Sequence, residues 1–445
     1  MFVPVDLAAH PTLVAMLAPM LDDVRGVEYF SVDGRPYHRV EADGFITLRV
    51  EHEGGAFGVV CNDFKMRGGS FSRKNSERLA AFVDRMADER LPTAFLIDSM
   101  GIRLMEGRAT VRPGFGLLPN LRRYCGDHLL VTCNLGRALG LGAVLFAAGH
   151  YRIAIAAKSF TNLAGPEVIR MFFGTAPDLE AMSSPAHMQP HATLVHEVAP
   201  TRALMLARAA ALVKAAGGQP APARGGQDRP GFPNLPKPGK AEAMLEAVLG
   251  AIADEATELF PCLSPSVRTY LASRDGRRFG LFVNPPGNPD NLVTAHTLER
   301  FAQALELFRV LKLPLVSLLD TPGGDPRDNS EVIVKLWQTT QRIIDYPFPK
   351  MGICIGRGFG GAILLGFPTF FGSRASYVLR GATVGLMHPQ FIDSLLSTTK
   401  TLAQEWTAAR GSQTADCADL IAEGIIDGVI APEDVPAVIG RFLAG

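Results

Sequence analysis

The chain has 445 residues, of which 47% are hydrophobic and 20% are charged, and its 44 basic and 44 acidic side chains give a formal net charge of zero. This composition is typical of a globular protein of two or three domains, and the charge balance gives no support to a large nucleic-acid surface. The six cysteines contain no CxxC pair, which argues against a zinc ribbon or a dithiol site and favours small buried cysteines in a reducing compartment.

The N-terminal segment, residues 1–26, is predicted to form a helical extension. It is apolar but carries Asp6 and His10 and lacks a basic leader, a pattern that is not typical of a signal peptide. The longest apolar run, residues 129–149, is interrupted by Asn134 and four glycines, which favours a buried strand and helix over a membrane span. We therefore expect a cytoplasmic protein that does not bind a membrane.

Strand-like and helix-like runs alternate along both halves of the chain. The first half has, in order, the predicted strand Phe57–Cys61, helix Asn75–Arg90, strand Thr93–Asp98, strand Leu129–Cys133, helix Gly140–Ala148 and strand Tyr151–Ala156. The second half has the strand Phe279–Val283, helix Leu298–Leu311, strand Pro314–Asp320, helix Glu331–Tyr346, strand Lys350–Ile355 and helix Gly360–Phe367. This alternation predicts parallel strands joined by helices, and the apolar strands indicate that helices cover both sheet faces. The predicted fold class is α/β.

A segment dense in proline, glycine and polar residues, 217–240, is predicted to link the two halves. A helix rich in alanine and leucine is predicted before it, over Arg202–Ala216, and a second helix is predicted after it, over Ala241–Phe260. These boundaries predict an N-terminal domain over residues 27–216 and a C-terminal domain over residues 241–445.

The two halves repeat each other in sequence. Residues recur 222 positions apart in the pairs Gly58/Gly280, Asn62/Asn284, Pro92/Pro314, Asp98/Asp320 and Gly101/Gly323. The spacing becomes 219 when Gly142 is paired with Gly361. A duplication in which each copy keeps a strand, an aspartate and a glycine turn predicts two similar domains with two similar sites. Two similar sites suit a reaction that moves a group between two bound carriers.

Glycine-rich turns are the strongest candidates for chemistry. Residues 356–362 follow a predicted strand and open an apolar helix, and residues 140–143 are the first-half equivalent. Glycine lets the backbone approach a ligand closely, and the free N–H groups at a helix start can form an oxyanion hole for a thioester enolate or a ureido oxygen. The alternative is that these glycines only allow strand and helix to pack closely. A phosphate loop would need GxxxxGK[ST], and the glycine spacing does not fit a dinucleotide fingerprint.

Asp98 and Asp320 each end a predicted strand. Either could be a catalytic acid, but an aspartate at such a position more often caps the next helix or fixes the loop, and we favour the cap. His187, His191 and His196 form a loose cluster that no carboxylate or cysteine completes, so we expect a solvated loop and no metal site. No serine lies in a GxSxG turn, so no nucleophile elbow is predicted.

Six segments match, in order, the motifs of one enzyme family. Residues 62–70 resemble NDF…MGGS, residues 98–107 resemble DSGGARIQEG, and residues 165–168 resemble GP[DE]V. Residues 320–323 resemble DVPG, residues 357–362 resemble Rx[YF]GGA, and residues 424–430 resemble GxIDxVI. From about residue 27 to its last residue, the chain thus resembles the carboxyltransferase subunits of biotin-dependent acyl-CoA carboxylases, of the propionyl-CoA carboxylase β type.

The resemblance implies two tandem crotonase-like domains per chain, each a ββα superhelix. It implies an active site between the first domain of one subunit and the second domain of another, and hence a homo-oligomer, either a dimer or a trimer of dimers. The implied substrates are an acyl thioester, on CoA or on a carrier protein, and carboxybiotin delivered by a partner biotin carboxylase or biotin carrier subunit. The chain has no Met-Lys-Met attachment sequence and no ATP-grasp region, so biotin is expected only on the partner.

The same resemblance implies the site residues. Gly361 and Ala362 would form one oxyanion hole, and Leu141 and Gly142 would form the other. The resemblance also implies that the ureido leaving group would take the α-proton, so the work left to the protein would be positioning and stabilisation of the oxyanions. The residues expected to contact the substrate are Gly101, Gly323, Gly360 and Leu364, and the apolar Leu364 stands where the family reads the acyl group.

Two positions depart from the family pattern. Leu141 and Met100 stand where the family has glycine, and the side chain of Leu141 is expected to crowd its site. Two other functions therefore stay open. One is a biotin-independent decarboxylase of a malonyl-type thioester, and the other is a non-catalytic assembly subunit of a carboxylase complex.

Overall fold

The computed structural model describes residues 1–156, 159–174, 178, 182–188, 194–217, 229–234, 240–325, 327, 329–385 and 417–445. The chain divides into two compact units, Met1–Gln219 and Pro220–Gly445. Most of the predicted linker, 217–240, lies outside the described residues, and the predicted domain boundaries at 27–216 and 241–445 stay predictions.

The first unit is built on one sheet. Its strands are β1 Phe2–Pro4, β2 Val24–Phe30, β3 Phe45–His52, β4 Gly55–Asn62, β5 Thr93–Ser99, β6 Leu130–Leu139, β7 Tyr151–Ile155, β8 Phe160–Asn162 and β9 Glu197–Ala199. Its helices are α1 Pro11–Leu17, α2 Tyr37–Glu41, α3 Arg73–Asp88, α4 Val111–Asp127, α5 Leu141–Ala147, α6 Pro166–Phe173, α7 Pro185–Met188 and α8 Arg202–Gly217. The described strands follow the order β1-β2-β3-β4-β5-β6-β7-β9, antiparallel as far as β4 and parallel beyond it, and β8 pairs with the end of β6.

The second unit repeats this plan. Its strands are β10 Glu255–Leu259, β11 Arg268–Arg274, β12 Arg277–Val283, β13 Leu315–Thr321, β14 Lys350–Phe359, β15 Ala375–Leu379, β16 Thr383–Gly385 and β17 Gly428–Ile430. Its helices are α9 Ala241–Ile252, α10 Ala295–Val310, α11 Asn329–Ile344, α12 Cys417–Ala422 and α13 Val435–Ala444, and a 3₁₀ helix spans Gly360–Gly366. The described strands follow the order β10-β11-β12-β13-β14-β15-β17, again antiparallel first and then parallel, and β16 pairs with the end of β14.

Matching helix caps show that the repeat extends to local structure. Ser72 and Asn75 form a capping box at the start of α3, in which each side chain satisfies the other residue's backbone N–H. Thr294 and Thr297, 222 positions later, form the same box at the start of α10. These caps fix where the helix leaves the loop that follows β4 or β12. Each unit buries its own apolar core of strand and helix side chains.

Two sequence predictions need correction. Residues 1–26 are not a separate helical extension, because Phe2–Pro4 pairs with β2 as an edge strand of the sheet and α1 covers only seven residues. The helix predicted over Ala241–Phe260 ends at Ile252, because the chain then becomes extended and Glu255–Leu259 pairs with β11. The apolar run at 129–149 forms β6 and α5. Among the described helices, none has the length and apolar character needed to cross a bilayer.

Candidate active site

Two turns meet at the carboxyl ends of β5 and β6 in the first unit. Gly101 follows β5 with a φ of +89°, and Gly140 follows β6 with a φ of +54°. A Cβ on Gly101 would lie 2.9 Å from the oxygen of Leu139 and 3.5 Å from the Cα of Gly140. Glycine is therefore required at residue 101 by both its backbone angle and its contact with the neighbouring turn.

The same pair of turns occurs in the second unit. Gly323 follows β13 with a φ of +123°, and Gly360 follows β14 with a φ of +58°. A Cβ on Gly323 would lie 3.6 Å from the oxygen of Phe359, the counterpart of Leu139. The matching φ values pair Gly140 with Gly360, so the repeat spacing here is 220. The predicted pairing of Gly142 with Gly361 is wrong by one residue.

An aspartate bulge sets the direction of each turn. The register of β5 against β6 shifts between Ile97 and Ser99, and the Oδ1 of Asp98 accepts the backbone N–H of Arg137 at 3.0 Å. A Cβ on Gly136 would lie 2.9 Å from the Asp98 carboxylate, so only glycine leaves room for it. The aspartate thus fixes the adjacent strand three residues before the Gly140 turn.

The second unit repeats the aspartate bulge. The register of β13 against β14 shifts between Leu319 and Thr321, and Asp320 Oδ1 accepts the backbone N–H of Arg357 at 2.9 Å. A Cβ on Gly356 would lie 2.6 Å from the Asp320 Cγ. Within the described residues, neither Asp98 nor Asp320 caps the helix that follows, so the predicted cap is wrong and the predicted loop-fixing role is correct. The Gly-Arg pair at 136–137 and at 356–357 is the sequence signal for this bulge.

The two arginines of these pairs differ in what their side chains do. Arg357 Nε donates to Asp320 Oδ1 at 2.8 Å, and its Nη2 donates to the oxygen of Asn288 at 2.6 Å. Arg137 Nη1 is 3.8 Å from Asp98 Oδ1, and its guanidinium carbon lies 4.1 Å from the centroid of the Phe64 ring. Burial raises the pKa of the Asp98 carboxyl, and the Arg137 N–H and guanidinium only partly oppose this.

Hydroxyl groups close the turns that follow β5 and β13. Ser99 Oγ accepts the N–H of Gly101 at 3.0 Å, and Thr321 Oγ1 accepts the N–H of Gly323 at 3.2 Å. The Gly101 oxygen accepts the N–H of Phe71, and the Gly323 oxygen accepts the N–H of Val293. The backbone groups of both glycines are therefore used inside the turn. These glycines could therefore serve a site only by leaving space that a side chain would otherwise fill.

The N–H groups of the other turn have no such partners. Across the described part of the chain, neither Leu141 nor Gly142 donates its N–H to a backbone oxygen, and Gly361 and Ala362 donate to none outside their own 3₁₀ helix. Gly361 is exposed. The first N–H groups of a helix lack acceptors within it, so they point toward any anionic group placed at this end. Each unit thus has one pair of backbone donors at this turn, and the other three of these four residues are buried.

The Leu141 side chain does not crowd these donors. It is 3% exposed and belongs to the apolar core of the first unit. Its Cδ2 lies 3.4 Å from where a Cβ on Gly114 of α4 would be. In the second unit the large and the small residue are exchanged, with the glycine in the turn and the leucine on the facing helix. A Cβ on Gly361 would lie 3.2 Å from the Cδ2 of Leu336 on α11. The predicted crowding is therefore wrong, since a glycine on the facing helix makes room for Leu141.

The remaining predicted positions lie around these turns. Leu364 is half-buried in the 3₁₀ helix that begins at Gly360, and Met100 is exposed beside Gly101 with its Cγ 3.0 Å from a Cβ built on Gly68. His196 is fully buried, so the prediction of a solvated loop is wrong for it, whereas His191 lies outside the described residues. No group of three metal-ligating side chains occurs in the described ranges.

Comparison with known proteins identifies the family. The family model described as "Carboxyl transferase domain" matches residues 33–444. A putative propionyl-CoA carboxylase beta chain of Bacillus subtilis is 23% identical over 422 residues, covering 89% of this chain and 82% of that protein. A propionyl-CoA carboxylase beta chain of Rhodococcus erythropolis is 24% identical over 368 residues, covering 79% of this chain and 76% of that protein.

A solved structure confirms the predicted fold. Transcarboxylase 12S with hydrolysed methylmalonyl-coenzyme A bound superposes with a TM-score of 0.80 at 18% identity, over 98% of this chain and 91% of that chain. The internal duplication predicts two similar domains and the family resemblance implies that they are crotonase-like; the two domains correspond to the two sheets. The chain therefore belongs to the carboxyl transferase domain family and is a carboxyltransferase component of the acyl-CoA carboxylase type.

Proposed function

We propose that the chain moves a carboxyl group between carboxybiotin, held on a partner carrier, and the α-carbon of an acyl thioester. The observation that carries this proposal is the duplicated donor turn. Each unit uses the same aspartate bulge and hydroxyl-closed turn to present free backbone N–H groups. A reaction between two carriers has two oxygens to hold, the thioester enolate and the ureido oxygen, and two such turns meet that need.

Each pair of backbone donors would hold one of the two oxygens. Gly361 and Ala362 would hold one oxygen through their N–H groups, and Leu141 and Gly142 would hold the other. When bound, biotin on the partner would supply the carboxyl group and would accept the α-proton through its ureido nitrogen. The donor set fits that group, because neutral backbone N–H groups bind a ureido oxygen without themselves exchanging a proton.

The substrate contacts follow from the same turns. Gly101, Gly323 and Gly360 would keep the turn surfaces free of side chains where the thioester and the ureido ring approach. Leu364 would contact the acyl group. The substrate, the partner and the cytoplasmic location are proposals that rest on the family and on these turns.

A matching apolar surface supports a homo-oligomer, either a dimer or a trimer of dimers. On α4, Val111 and Phe115 are exposed, and 222 positions later Ile333 and Trp337 are exposed on α11. Residues four apart share one face of a helix, and Trp337 is 61% exposed. We infer that these faces are covered by a second copy of the chain.

Trp337→Glu is expected to shift the protein toward monomer, because the carboxylate would have to be desolvated in the interface. Sedimentation velocity measures this shift. Trp337→Phe is the matched control and should keep the wild-type distribution. An unchanged distribution in both variants would contradict an interface at α11.

The forward reaction tests the proposed function. Full-length chain is incubated with a carboxylated biotin carrier protein and a panel of acyl-CoA and acyl carrier protein thioesters. The proposal predicts a carboxylated thioester from at least one member and no product when the carrier lacks biotin. Carbon dioxide release from malonyl thioesters without biotin would support the decarboxylase instead. No turnover of any kind would support an assembly subunit.

A further inference from the structure

The first unit has a charged cavity of about 230 Å³ that shares no lining residue with the donor turns. Drug-sized ligands occupy pockets of about 300–1,000 Å³, so this cavity suits a smaller molecule. The loop that follows β2 and the first turns of α3 line it, through Val32, Asp33, Arg35, Lys74, Glu77 and Arg78.

Arg78 brings to this cavity a guanidinium that lacks an acceptor. Its side chain is 7% exposed, its Nη1 donates to Asp43 Oδ2 at 3.3 Å, and its Nη2 donates to the oxygen of Phe45 at 2.8 Å. Its Nε is buried and has no acceptor among the described residues. Burial lowers the pKa of Arg78, and Asp43 only partly opposes this. A buried donor without an acceptor is costly, so an anion that reached Nε through the cavity would stabilise the folded unit.

The duplication shows how the same arginine is bonded in the second unit. Arg300 stands 222 positions after Arg78, on α10, and its side chain is fully buried. Its Nε donates to Thr269 Oγ1 at 3.2 Å. Thr47, the counterpart of Thr269, donates to the oxygen of Phe30, and its hydroxyl accepts no bond from Arg78 within the described ranges. The first unit therefore keeps the arginine but not the bond to its Nε.

The carboxylate that the neighbouring strand supplies also differs between the units. On β10, Glu258 Oε1 accepts the Nη2 of Arg300 at 2.8 Å, and Glu258 pairs with Tyr270. On β2, Tyr29 pairs with Leu48, the residue 222 positions before Tyr270, and so holds the equivalent place. Tyr29 carries no charge, and its hydroxyl donates to a backbone oxygen of the loop. The first unit thus lacks the strand carboxylate that serves the arginine in the second.

The other charges around the cavity limit what can replace that carboxylate. Lys74 is exposed there and forms no ion pair with any residue that the structure describes. The two carboxylates of the lining already have partners. Arg35 Nε lies 2.6 Å from Asp33 Oδ2, and Arg73 Nε lies 3.0 Å from Glu77 Oε1. These carboxylates need no cation from a ligand, but they repel a second negative charge beside them. The cavity therefore favours a ligand with a single negative charge.

We propose that this cavity binds a small monocarboxylate, whose oxygens accept hydrogen bonds from Arg78 Nε and from the Lys74 ammonium group. The bound carboxylate does for Arg78 what Glu258 does for Arg300 in the second unit. Hydrogen bonds between a cationic donor and a carboxylate are among the strong ones. The aliphatic part of the ligand lies against Val32, which is 59% exposed and lines the cavity. The site goes beyond the proposed carboxyl transfer and needs neither biotin nor a thioester.

The test is a ligand-observed NMR titration of the full-length chain with butyrate at constant ionic strength. A molecule this small binds weakly, so saturation is expected at millimolar concentrations. Butyramide has nearly the same shape without the charge and is expected not to bind. Succinate carries a second carboxylate and is expected to bind at least about fivefold more weakly than butyrate. Inorganic phosphate at the same concentration is expected not to displace butyrate.

Variants locate the bound anion. Arg78→Lys keeps a charge beside Asp43 but removes the Nε donor, so it is expected to weaken butyrate binding at least about tenfold. Lys74→Ala removes an exposed cation and is expected to weaken it about two- to fivefold. Lys65→Ala removes an exposed lysine of the loop after β4, and as the matched control it should bind butyrate as wild type does. Equal thermal unfolding midpoints verify that the variants fold. If Arg78→Lys does not fold, the comparison of Lys74→Ala with Lys65→Ala decides.

The site would be overturned by wild-type protein that shows no saturable butyrate binding, or by Lys74→Ala binding as tightly as Lys65→Ala. Butyramide or phosphate that competes as well as butyrate would contradict recognition of a monocarboxylate. Gly361→Leu is expected to bind butyrate normally, and loss of binding in that variant would place the anion at the donor turn instead. The titration contains no thioester and no biotin, so its outcome is independent of whether the chain transfers carboxyl groups.

Discussion

Replacing Gly361 with leucine is expected to lower kcat for carboxyl transfer about 100- to 1,000-fold, the loss typical of removing one oxyanion donor. A Cβ at residue 361 would already be 3.2 Å from Leu336, so a leucine side chain has no room on that side. It must either push the turn away from α11 or fold over the N–H groups of the turn. Both outcomes remove the donors from the reacting oxygen. The assay is carboxyl transfer from malonyl-CoA to biotin.

The first unit shows how the defect can be repaired. Leu141 occupies the position equivalent to Gly361, and its side chain is buried because Gly114 faces it. The double variant Gly361→Leu with Leu336→Gly copies that arrangement. Moving side-chain volume from one residue of a contact to its partner destabilises a protein less than adding volume to the contact. We expect the double variant to recover to within about tenfold of wild type, measured against Leu336→Gly alone. A double variant as inactive as Gly361→Leu would refute the compensation.

Replacing Asp320 with asparagine is expected to lower the free energy of unfolding of the second unit by about 3 kcal/mol. The Asp320 side chain is 2% exposed and holds Arg357 through both its backbone and its guanidinium. It also accepts the N–H of Gly287 at 2.6 Å. Removing the charge leaves the guanidinium without its carboxylate, while the bulge loses its strongest acceptor. Both tryptophans, Trp337 and Trp406, lie in the second half, so fluorescence-detected urea unfolding reports this unit.

Asp98→Asn is the matched control and should change the stability of the first unit by less than about 1 kcal/mol, because Arg137 lies 3.8 Å from Asp98 and stacks on Phe64. Both tryptophans lie in the second half, so the stability of the first unit is measured by hydrogen exchange of its amides. Burial raises the pKa of Asp98, so the folded unit favours its protonated form. That contribution is complete below the ordinary carboxyl pKa and is lost as the pH rises through the raised pKa. An amide carries no charge, so stability of the variant should fall less as the pH increases over this range. Equal losses from both substitutions would contradict the asymmetry.

The duplication could be predicted from the sequence because, at its most constrained positions, only one type of residue fits the backbone. Gly101 and Gly323 need a positive φ, and Asp98 and Asp320 need a neighbouring backbone N–H. Such positions keep their residue type in both halves. The alternation of strands and helices could also be predicted, because a strand covered by helices on both faces is apolar along its whole length.

The exchange of size between Leu141 and Gly361 could not be predicted from the sequence. It depends on which residue of α4 or α11 faces the turn, and Gly114 and Leu336 carry no signal of their own. The repeat spacing also falls from 222 to 220 between those helices and the turns, which hides the correspondence. Only the packing shows that the first turn is intact and that its leucine is a core residue.

The strand β10 was missed for a different reason. The apolar spacing of α9 runs on into alanine and glutamate residues that favour a helix, and no glycine or proline follows Ile252 until Pro261. Pairing with β11 decides the conformation there, and that contact is distant in sequence from the helix. Local preference was overridden by the sheet.

The most direct test of two-carrier transfer is an isotope measurement. Full-length protein is incubated with malonyl-CoA or methylmalonyl-CoA labelled in the free carboxyl carbon, together with unlabelled free biotin. Transfer between two carriers predicts that label leaves the thioester only when biotin is present and appears in carboxylated biotin, and that Gly361→Leu slows both about 100- to 1,000-fold. Label lost at the same rate with and without biotin, or label retained in full by the wild-type protein, would contradict carboxyl transfer between two carriers.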